Sequence, residues 1–559
     1  MMSQFLSALL VLFSLLQQAP VSPQLPRQQQ QGFRVSGVVV DAIGGQALAG
    51  AQVMLFSQAA RDSGQPVTTG DGGRFSFENV PAGQYVLSAR CKGYVDQQYK
   101  QHGYLSTAII AGPDLNTDNL RFEMLPGASI SGQILDEMGE PVRGAEVLLL
   151  HRGLRLGQRQ TLQKRQGNTD DQGHYHFGHL VPGAYFVGVV AEPWYAQHDG
   201  RQRRQQVDSA SAQTADSGAA TNANDPLDVV YPIVFFPNAT DIDVASPITL
   251  HPGDAEIADL RVQPVPAAHL TFRSSTTDGP EQVSVHHISQ HVADGVEETV
   301  PVRTTTWAPW AGSNILEVNG LPPGRLNVTW TWSKGNQSAD HARTLQLGND
   351  LEINPSDTAS SASVSGVVTV DDGSPFAPQA RFGLRNASAG TAISVLLKPG
   401  GEFNFDGQNI DPGTYEVGMS QPSAALVRSI SATGAKVSGH TIEIGSARDV
   451  RLTVVVSKDG GTVTGLALKN GKPADGVMIL LVPQGPEPDA SLFRFDQSDS
   501  DGSFSLARVL PGKYTVVAIE NGWDLDWSDP RVSQKYLAGG QAIQVGSDTK
   551  IKVSVNVQQ

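Results

Sequence analysis

Three histidines, His174, His176 and His179, stand together as His-x-His-x-x-His. Imidazoles at i and i+2 of a strand share a face, and such a pair can hold zinc or copper. Their neighbours argue for another role. Tyr175 and Phe177 alternate with the histidines, and strand alternation turns the aromatics inward and leaves the histidines on a solvated face. His286, His287 and His291 form a looser second group. Asp499-Ser-Asp501-Gly502 has the opening of a calcium loop, but such a loop needs a Glu at its twelfth position, and Leu510 stands there. Asp and Gly serve a tight hairpin turn at that place. No nucleophile elbow, phosphate-binding glycine loop or dinucleotide fingerprint occurs. The expectation is therefore no metal, no cofactor and no catalytic site.

Aromatic side chains remain as candidate ligand-binding residues: Tyr94 and Tyr99, Trp194 and Tyr195, and Trp523 and Trp527. Each pair follows a strand that carries a tyrosine, at the point where the chain leaves its sheet. Aromatics on end loops stack on sugar rings or grip a protein partner, and the rival role is to cap a core. Trp330 differs. It alternates with Leu326, Val328 and Trp332 on one strand face, so it is expected in a core.

The elements that position these residues recur. Gly73–Tyr85 reads G-R-F-S-F-E-N-V-P-A-G-Q-Y, and related phrases occupy 173–185, 401–415 and 502–514. The common skeleton is Gly-x-aromatic-x-apolar, then an apolar residue, Pro, Gly and Tyr. Each phrase is preceded by an apolar run with an early glycine, at Gly37, Gly132, Gly366 and Gly465, followed by Asp/Asn-Gly turn residues. The interval between Gly132 and Gly366 leaves room for a further unit, found in weaker form at Asn314–Leu326, where Leu316, Val318 and Leu326 take the aromatic and tyrosine places. A fixed period of this kind means an array of similar modules. Short alternating strands between turn signals predict an all-β fold: a tandem array of about five seven-stranded β-sandwiches. Helical periodicity is absent outside the leader.

The predicted organisation is a signal peptide at 1–20, a Gln/Pro-rich flexible leader at 21–32, and sandwiches at 33–126, 127–265, 266–358, 359–458 and 459–559. A polar, low-complexity insertion at 196–226 is expected as a loop inside the second sandwich, completed by a strand at Val229–Phe236. The apolar run Phe5–Leu16 is too short for a comfortable membrane span and fits a signal-peptide core. No Lys or Arg precedes it, so an uncleaved anchor and a mis-assigned start remain rival readings. Export places the chain in the periplasm, cell envelope or extracellular space. The net charge of −15, from 40 basic and 55 acidic residues, argues against nucleic acid and anionic membranes as partners. Cys91 is the only cysteine, so no intrachain disulfide can form and the cores must carry the stability.

Val-Ser-Gly-x-Val-x-Asp, then Gly-Ala-x-Val, then Gly-x-Phe-x-Phe-x-x-Val-Pro-x-Gly-x-Tyr resembles the carboxypeptidase regulatory-like domain. That family is related to collagen-adhesin B-type repeats and has a prealbumin-like, carbohydrate-binding-like sandwich. The likeness covers most of residues 33–559 and is weakest in the third unit. It implies a non-catalytic module. The zinc ligands of the associated peptidase are missing, since His287-Ile-Ser-Gln290 has Gln where His-x-x-Glu is required. The Lys–Asn isopeptide bond of some adhesin repeats is not carried over, because Arg34 stands in the first strand where a Lys is needed. The expected function is an exported, non-catalytic binding protein whose ligand is carbohydrate. The alternative is a structural spacer or protein-adhesion array, which would be an elongated particle. The expected partners are a glycan or an envelope or extracellular protein.

Overall fold

The computed structural model describes residues 32–559, apart from 60–63, 156, 199–225, 274–280, 294–295, 307–314, 336, 356–360, 388–391, 406–409, 422–424, 459 and 486–491. The signal peptide, nearly all of the leader and most of the 196–226 insertion lie outside the described residues.

The chain is a tandem series of β-sandwiches. One pairing rule recurs in all five. The first strand lies between the strand of the Gly-x-aromatic phrase, antiparallel, and the last strand of its unit, parallel. Phe33–Asp41 pairs in this way with Arg74–Val80 and Leu120–Met124. Ala128–Leu135 pairs with His174–Leu180 and with Ala255–Ile257 and Leu260–Arg261. Ala268–Arg273 lies between Ile315–Leu321 and Leu351–Ile353. Ser363–Val370 lies between Glu402–Asn404 and Asp449–Ser457. Gly461–Lys469 lies between Ser503–Val509 and Lys550–Gln558. The tyrosine-bearing strand belongs to the second sheet, as with Gly83–Arg90 against Gln52–Ser57. In the fifth unit Lys550–Gln558 also reaches Gly512–Ile519, joining both sheets into one of eight strands.

The repeated residues have specific structural work. The early glycine pairs directly with the aromatic of the phrase: Gly37 with Phe75, Gly132 with Tyr175, Gly366 with Phe403 and Gly465 with Phe504. A Cβ on any of these glycines would overlap a carbonyl oxygen of the last strand, at Leu120, Ala258, Leu452 and Val553 respectively. At Gly132, Gly366 and Gly465 it would also press on the partner ring, at 2.9, 2.9 and 2.6 Å. The ring therefore occupies the space the glycine vacates. The third unit exchanges the pair, because Phe272 stands on the first strand and Leu316 opposite it. The tyrosine closes the corner. Its hydroxyl donates to the carbonyl four residues earlier at Tyr85 (2.9 Å), Tyr185 (2.9 Å), Tyr415 (2.7 Å) and Tyr514 (2.8 Å). Leu326 takes this place in the third unit and has no hydroxyl to give.

Each sandwich encloses its own apolar core. Trp330 lies fully inside the third, against Phe272. Cys91 is half-buried against the first. Two further clusters lie on outer sheet faces. In one, Leu148, Leu150, Phe186 and Phe235 of the second unit meet Val292, Ala293 and Val296 of the third. In the other, the outer face of the fifth unit is covered by its own 522–537 segment. That segment corrects the expectation of no helix, since Pro530–Leu537 is helical. Asp529 caps it by accepting from Arg531 N, and Pro530 occupies the first turn, where its missing N–H costs nothing. The 229–236 segment is two short strands rather than one. Val229–Val230 pairs with Val265–Pro266, and Val234–Phe235 pairs with Gly188–Val189.

Candidate functional site: the junctions between sandwiches

His174, His176 and His179 are exposed while Tyr175 and Phe177 are buried. His179 has φ 55°, the same left-handed bend as Asn79 and Arg508 in their units. Among the described residues no group of three or more His, Cys, Asp or Glu is placed to hold a metal. At Asp499–Ser503 the chain makes a hairpin turn, with Gly502 N donating to Asp499 O and Gly502 at φ 78°.

The six candidate aromatics have diverse surroundings. Tyr99 is 5% exposed and packs 5.8 Å from Phe122 in the first core; burial pushes its hydroxyl up to about 12. Trp527 is 4% exposed, 5.3 Å from both Phe493 and Phe495. Neither ring offers a face to a ligand, which corrects the end-loop expectation for both. They serve cores because the loop folds back over apolar surface that would otherwise be wet. Trp523 is stacked on His102 of the first unit at 4.5 Å and 9°. Tyr94 donates to Asp41 Oδ2 at 3.1 Å, tying its loop to the first turn of the same unit. Tyr195 makes the matching tie in the second unit, donating to Glu137 Oε1 at 2.5 Å, while Tyr231 donates to Oε2 at 2.7 Å. Burial raises the Glu137 carboxyl, and the Tyr195 hydroxyl, its own backbone N–H and the Tyr231 hydroxyl together outweigh it, so the group ends below its ordinary value. Trp194 alone of the six is widely open, at 85% exposure, with its ring at 89° to Tyr195.

Polar side chains also meet where sandwiches touch. The fifth unit touches the first. Asp499 accepts from Ala108 N (3.2 Å) and Gln84 Nε2 (2.8 Å), Lys100 pairs with Asp475 (2.7 Å), and Gln497 Nε2 donates to Lys100 O and Thr107 Oγ1 (2.6 and 2.8 Å). Burial, reinforced by Asp496 and Asp501, pushes the Asp499 carboxyl up to about 7 against its backbone bond to Ala108. The fifth unit also touches the second, where Ser528 Oγ donates to Gly157 O at 2.8 Å and a Cβ on Gly157 would overlap the Trp527 ring.

Between the second and third units, Asp228 is held by two buried histidines. His198 Nδ1 lies 2.9 Å from Oδ1 and His269 Nε2 lies 2.8 Å from Oδ2. His269 Nδ1 in turn lies 2.9 Å from Asn319 Oδ1. Burial raises the Asp228 carboxyl, but both histidine bonds outweigh it and hold the group well below the usual carboxylate range.

Between the third and fourth units, Asp411 accepts from Ser361 Oγ (2.9 Å) and Ala342 N (3.2 Å), with Arg343 Nε at 3.6 Å. A cavity of about 370 Å³ opens beside it, walled by His286, Thr331, Asp340, His341, Ile393 and Tyr415 among others. A wider cleft of about 690 Å³ between the first two units is lined by Arg90, Lys92 and Arg165.

Of the residues at these junctions, the sequence had drawn attention to Asp499, Trp527 and His286, but none of them as a contact between units. His198, Asp228 and His269 are far apart along the chain and carry no shared spacing. Asp411 left a signal, since it stands four residues before Tyr415, where the second and fifth units have Val181 and Leu510.

One of the two family models that match parts of the chain is itself described as a β-sandwich domain. The carboxypeptidase regulatory-like domain matches residues 34–107. A second family, described as the BOS complex subunit NOMO1-like second β-sandwich domain, matches residues 459–539. The mouse protein BOS complex subunit NOMO1 is 30% identical over 182 residues, covering 29% of this chain and 14% of that protein. The human BOS complex subunit NOMO1 is 29% identical over the same length, with the same coverage. The chain thus spans about a seventh of the length of the curated relatives it matches. Among solved structures, a streptococcal ancillary pilin aligns with 52% of this chain and 99% of its own, at 13% identity and a TM-score of 0.18. The shaft pilin SpaA from Lactobacillus rhamnosus GG aligns with 42% and 98%, at 10% identity and a TM-score of 0.18.

Proposed function

We propose that this chain is an exported, non-catalytic β-sandwich scaffold that engages a protein partner through the end of its second unit. One observation carries the reading. Met138 is 80% exposed and Trp194 85%, and they flank the Tyr195–Glu137 hydrogen bond on its two strands of chain. That bond, with the one from Tyr231, fixes both segments before any partner arrives. A large apolar pair on a rigid support loses little freedom on binding, and tryptophan is enriched among the residues that dominate interfaces. Two relatives are named as subunits of a complex, which supports a protein partner. The apolar run near the N-terminus supports export, and among the described residues no helix is long and apolar enough to cross a membrane.

A photo-crosslinking side chain at position 194 of the full chain, in its own cells, tests this. It should trap one defined protein, and Met138→Glu should abolish the product without changing the circular dichroism spectrum. The carbohydrate reading rests on the same open ring, set at a right angle to Tyr195 as a platform for a sugar face. Retention on a glycan array that Trp194→Ala removes, with no crosslinked protein, would replace the protein reading.

A further inference from the structure

We propose that the cleft between the first two units binds a small polyvalent oxyanion, one that carries at least two carboxylate or phosphate groups and bridges both units. The argument starts from charge. Arg90 and Lys92 of the first unit and Arg165 of the second line the same concavity, and His179 of the second adds an imidazole. All four residues are exposed. The one carboxylate in the lining is Asp96, 4.0 Å from Arg90 Nε. Among the described residues no carboxylate pairs with Lys92 or Arg165. The whole chain has a net charge of −15, so this excess of cations runs against its composition. Like charges brought together from two units repel and oppose the docking that forms the cleft. A concave site lined by one sign of charge concentrates the opposite sign, and a bridging anion would remove the repulsion.

The repeat does not ask for these cations. Counted from Tyr85, Tyr185 and Tyr514, the places of Arg90 and Lys92 hold Val190 and Glu192 in the second unit, and Ile519 and Asn521 in the fifth. The walls are also fixed in advance. Only Leu125, Pro126 and Gly127 join Leu120–Met124 to Ala128–Leu135. Val95 N donates to Leu125 O (2.9 Å), Gly127 N to Gly93 O (3.0 Å) and Gly253 N to Pro126 O (3.1 Å), so both units grip the linker. Arg165 donates from Nη1 to Gly178 O and from Nη2 to His179 O, at 2.5 and 3.4 Å. These bonds orient its guanidinium, whose planar fork has further N–H donors suited to a carboxylate or phosphate. A site assembled beforehand loses little freedom on binding. The volume of about 690 Å³ lies within the range for small-molecule sites. No Phe, Tyr or Trp stands in the lining, so recognition rests on charge rather than on stacking.

This site shares no residue with the Met138–Trp194 end and rests on neither reading of it. Cys91, the only cysteine of the chain, lines the cleft and can report on it. The test uses the full chain with trigalacturonate as the probe for acidic sugars, inorganic tripolyphosphate as the probe for phosphate compounds, and acetate as the monovalent control. Calorimetry gives the affinity, and the rate of Cys91 alkylation by N-ethylmaleimide gives the place. At least one polyanion should bind, more weakly as salt is raised, and should slow the alkylation, while acetate does neither. Arg90→Gln with Lys92→Gln should weaken that polyanion by about tenfold or more. Lys436→Gln with Lys513→Gln removes the same charge from exposed positions elsewhere and should leave the affinity unchanged. Binding of trigalacturonate alone makes the source an acidic sugar, and binding of tripolyphosphate alone makes it a phosphate compound. No binding of either, alkylation unslowed at saturation, unchanged affinity in the cleft variant, or an equal loss in both variants overturns the proposal.

Discussion

Gly132 and Tyr175 act as one unit of structure. The glycine lets two backbones approach, and the ring seals the gap above it. Gly132→Ala should therefore destabilise the second sandwich by about 1–3 kcal/mol, through overlap with the Ala258 carbonyl, read as a lower denaturant midpoint. The third unit offers the reciprocal experiment. Phe272→Gly alone should leave a cavity and cost about 3–5 kcal/mol. Adding Leu316→Phe should restore part of that loss, because the paired ring returns from the opposite strand. An additive double variant would refute the exchange. The corner tyrosines are another residue-scale device, each closing a turn on a carbonyl four residues back.

At the scale of elements, the same end loops serve different ends. In the first two units they tie the tyrosine-bearing strand to the opening turn through Tyr94–Asp41 and Tyr195–Glu137. In the fifth the loop has grown into a short helix that covers an outer sheet face. The clasp between the second and third units is polar, with Asp228 held between His198 and His269. Asp228 titrates below its ordinary value when held by His198 and His269. A carboxyl lowered in the folded state stabilises above its unfolded pKa, and that contribution is lost as pH falls through the folded value. The clasp should thus persist at neutral pH and open only in strong acid. Asp228→Asn should loosen it already at neutral pH, seen as faster amide exchange at His269 and Asn319. Unchanged exchange in Asp228→Asn would show that the apolar contact of Phe235 with Val292 and Val296 holds the junction alone.

On the scale of the whole molecule, the array turns back on itself. Contacts of the fifth unit with Gln84, Lys100 and His102 of the first, and with Gly157 of the second, bring its ends together. An elongated spacer is not the arrangement observed. Asp499 gives this closure a pH dependence. Its carboxyl is raised to about 7 at the contact, chiefly by burial, so closure favours the protonated form. The closing contact is then strongest below the ordinary carboxyl pKa, weakens as pH rises towards 7, and changes little above it. Small-angle scattering should show a compact particle at pH 5 and a larger radius at pH 8. Asp499→Asn should remove the difference, and a radius unchanged between the two pH values would contradict the account.

The tandem sandwiches were legible in the sequence because their determinants are local. Alternation, turn glycines and a phrase repeated every unit fix which residues pair and which face inward, even where Leu316 and Leu326 blur the phrase. The outward direction of His174 and His176 and the core place of Trp330 followed from the same period. The junctions were not legible. Asp499 looks like any turn aspartate until Gln84 and Ala108 meet it, and Trp523 looks like a free loop aromatic until His102 stacks on it. His341 gains its carboxylate neighbour only when Asp411 of the next unit docks against it. Strand periodicity is written into neighbouring residues. Contacts between units depend on how rigid bodies dock across hundreds of residues, and only the tertiary structure decides that.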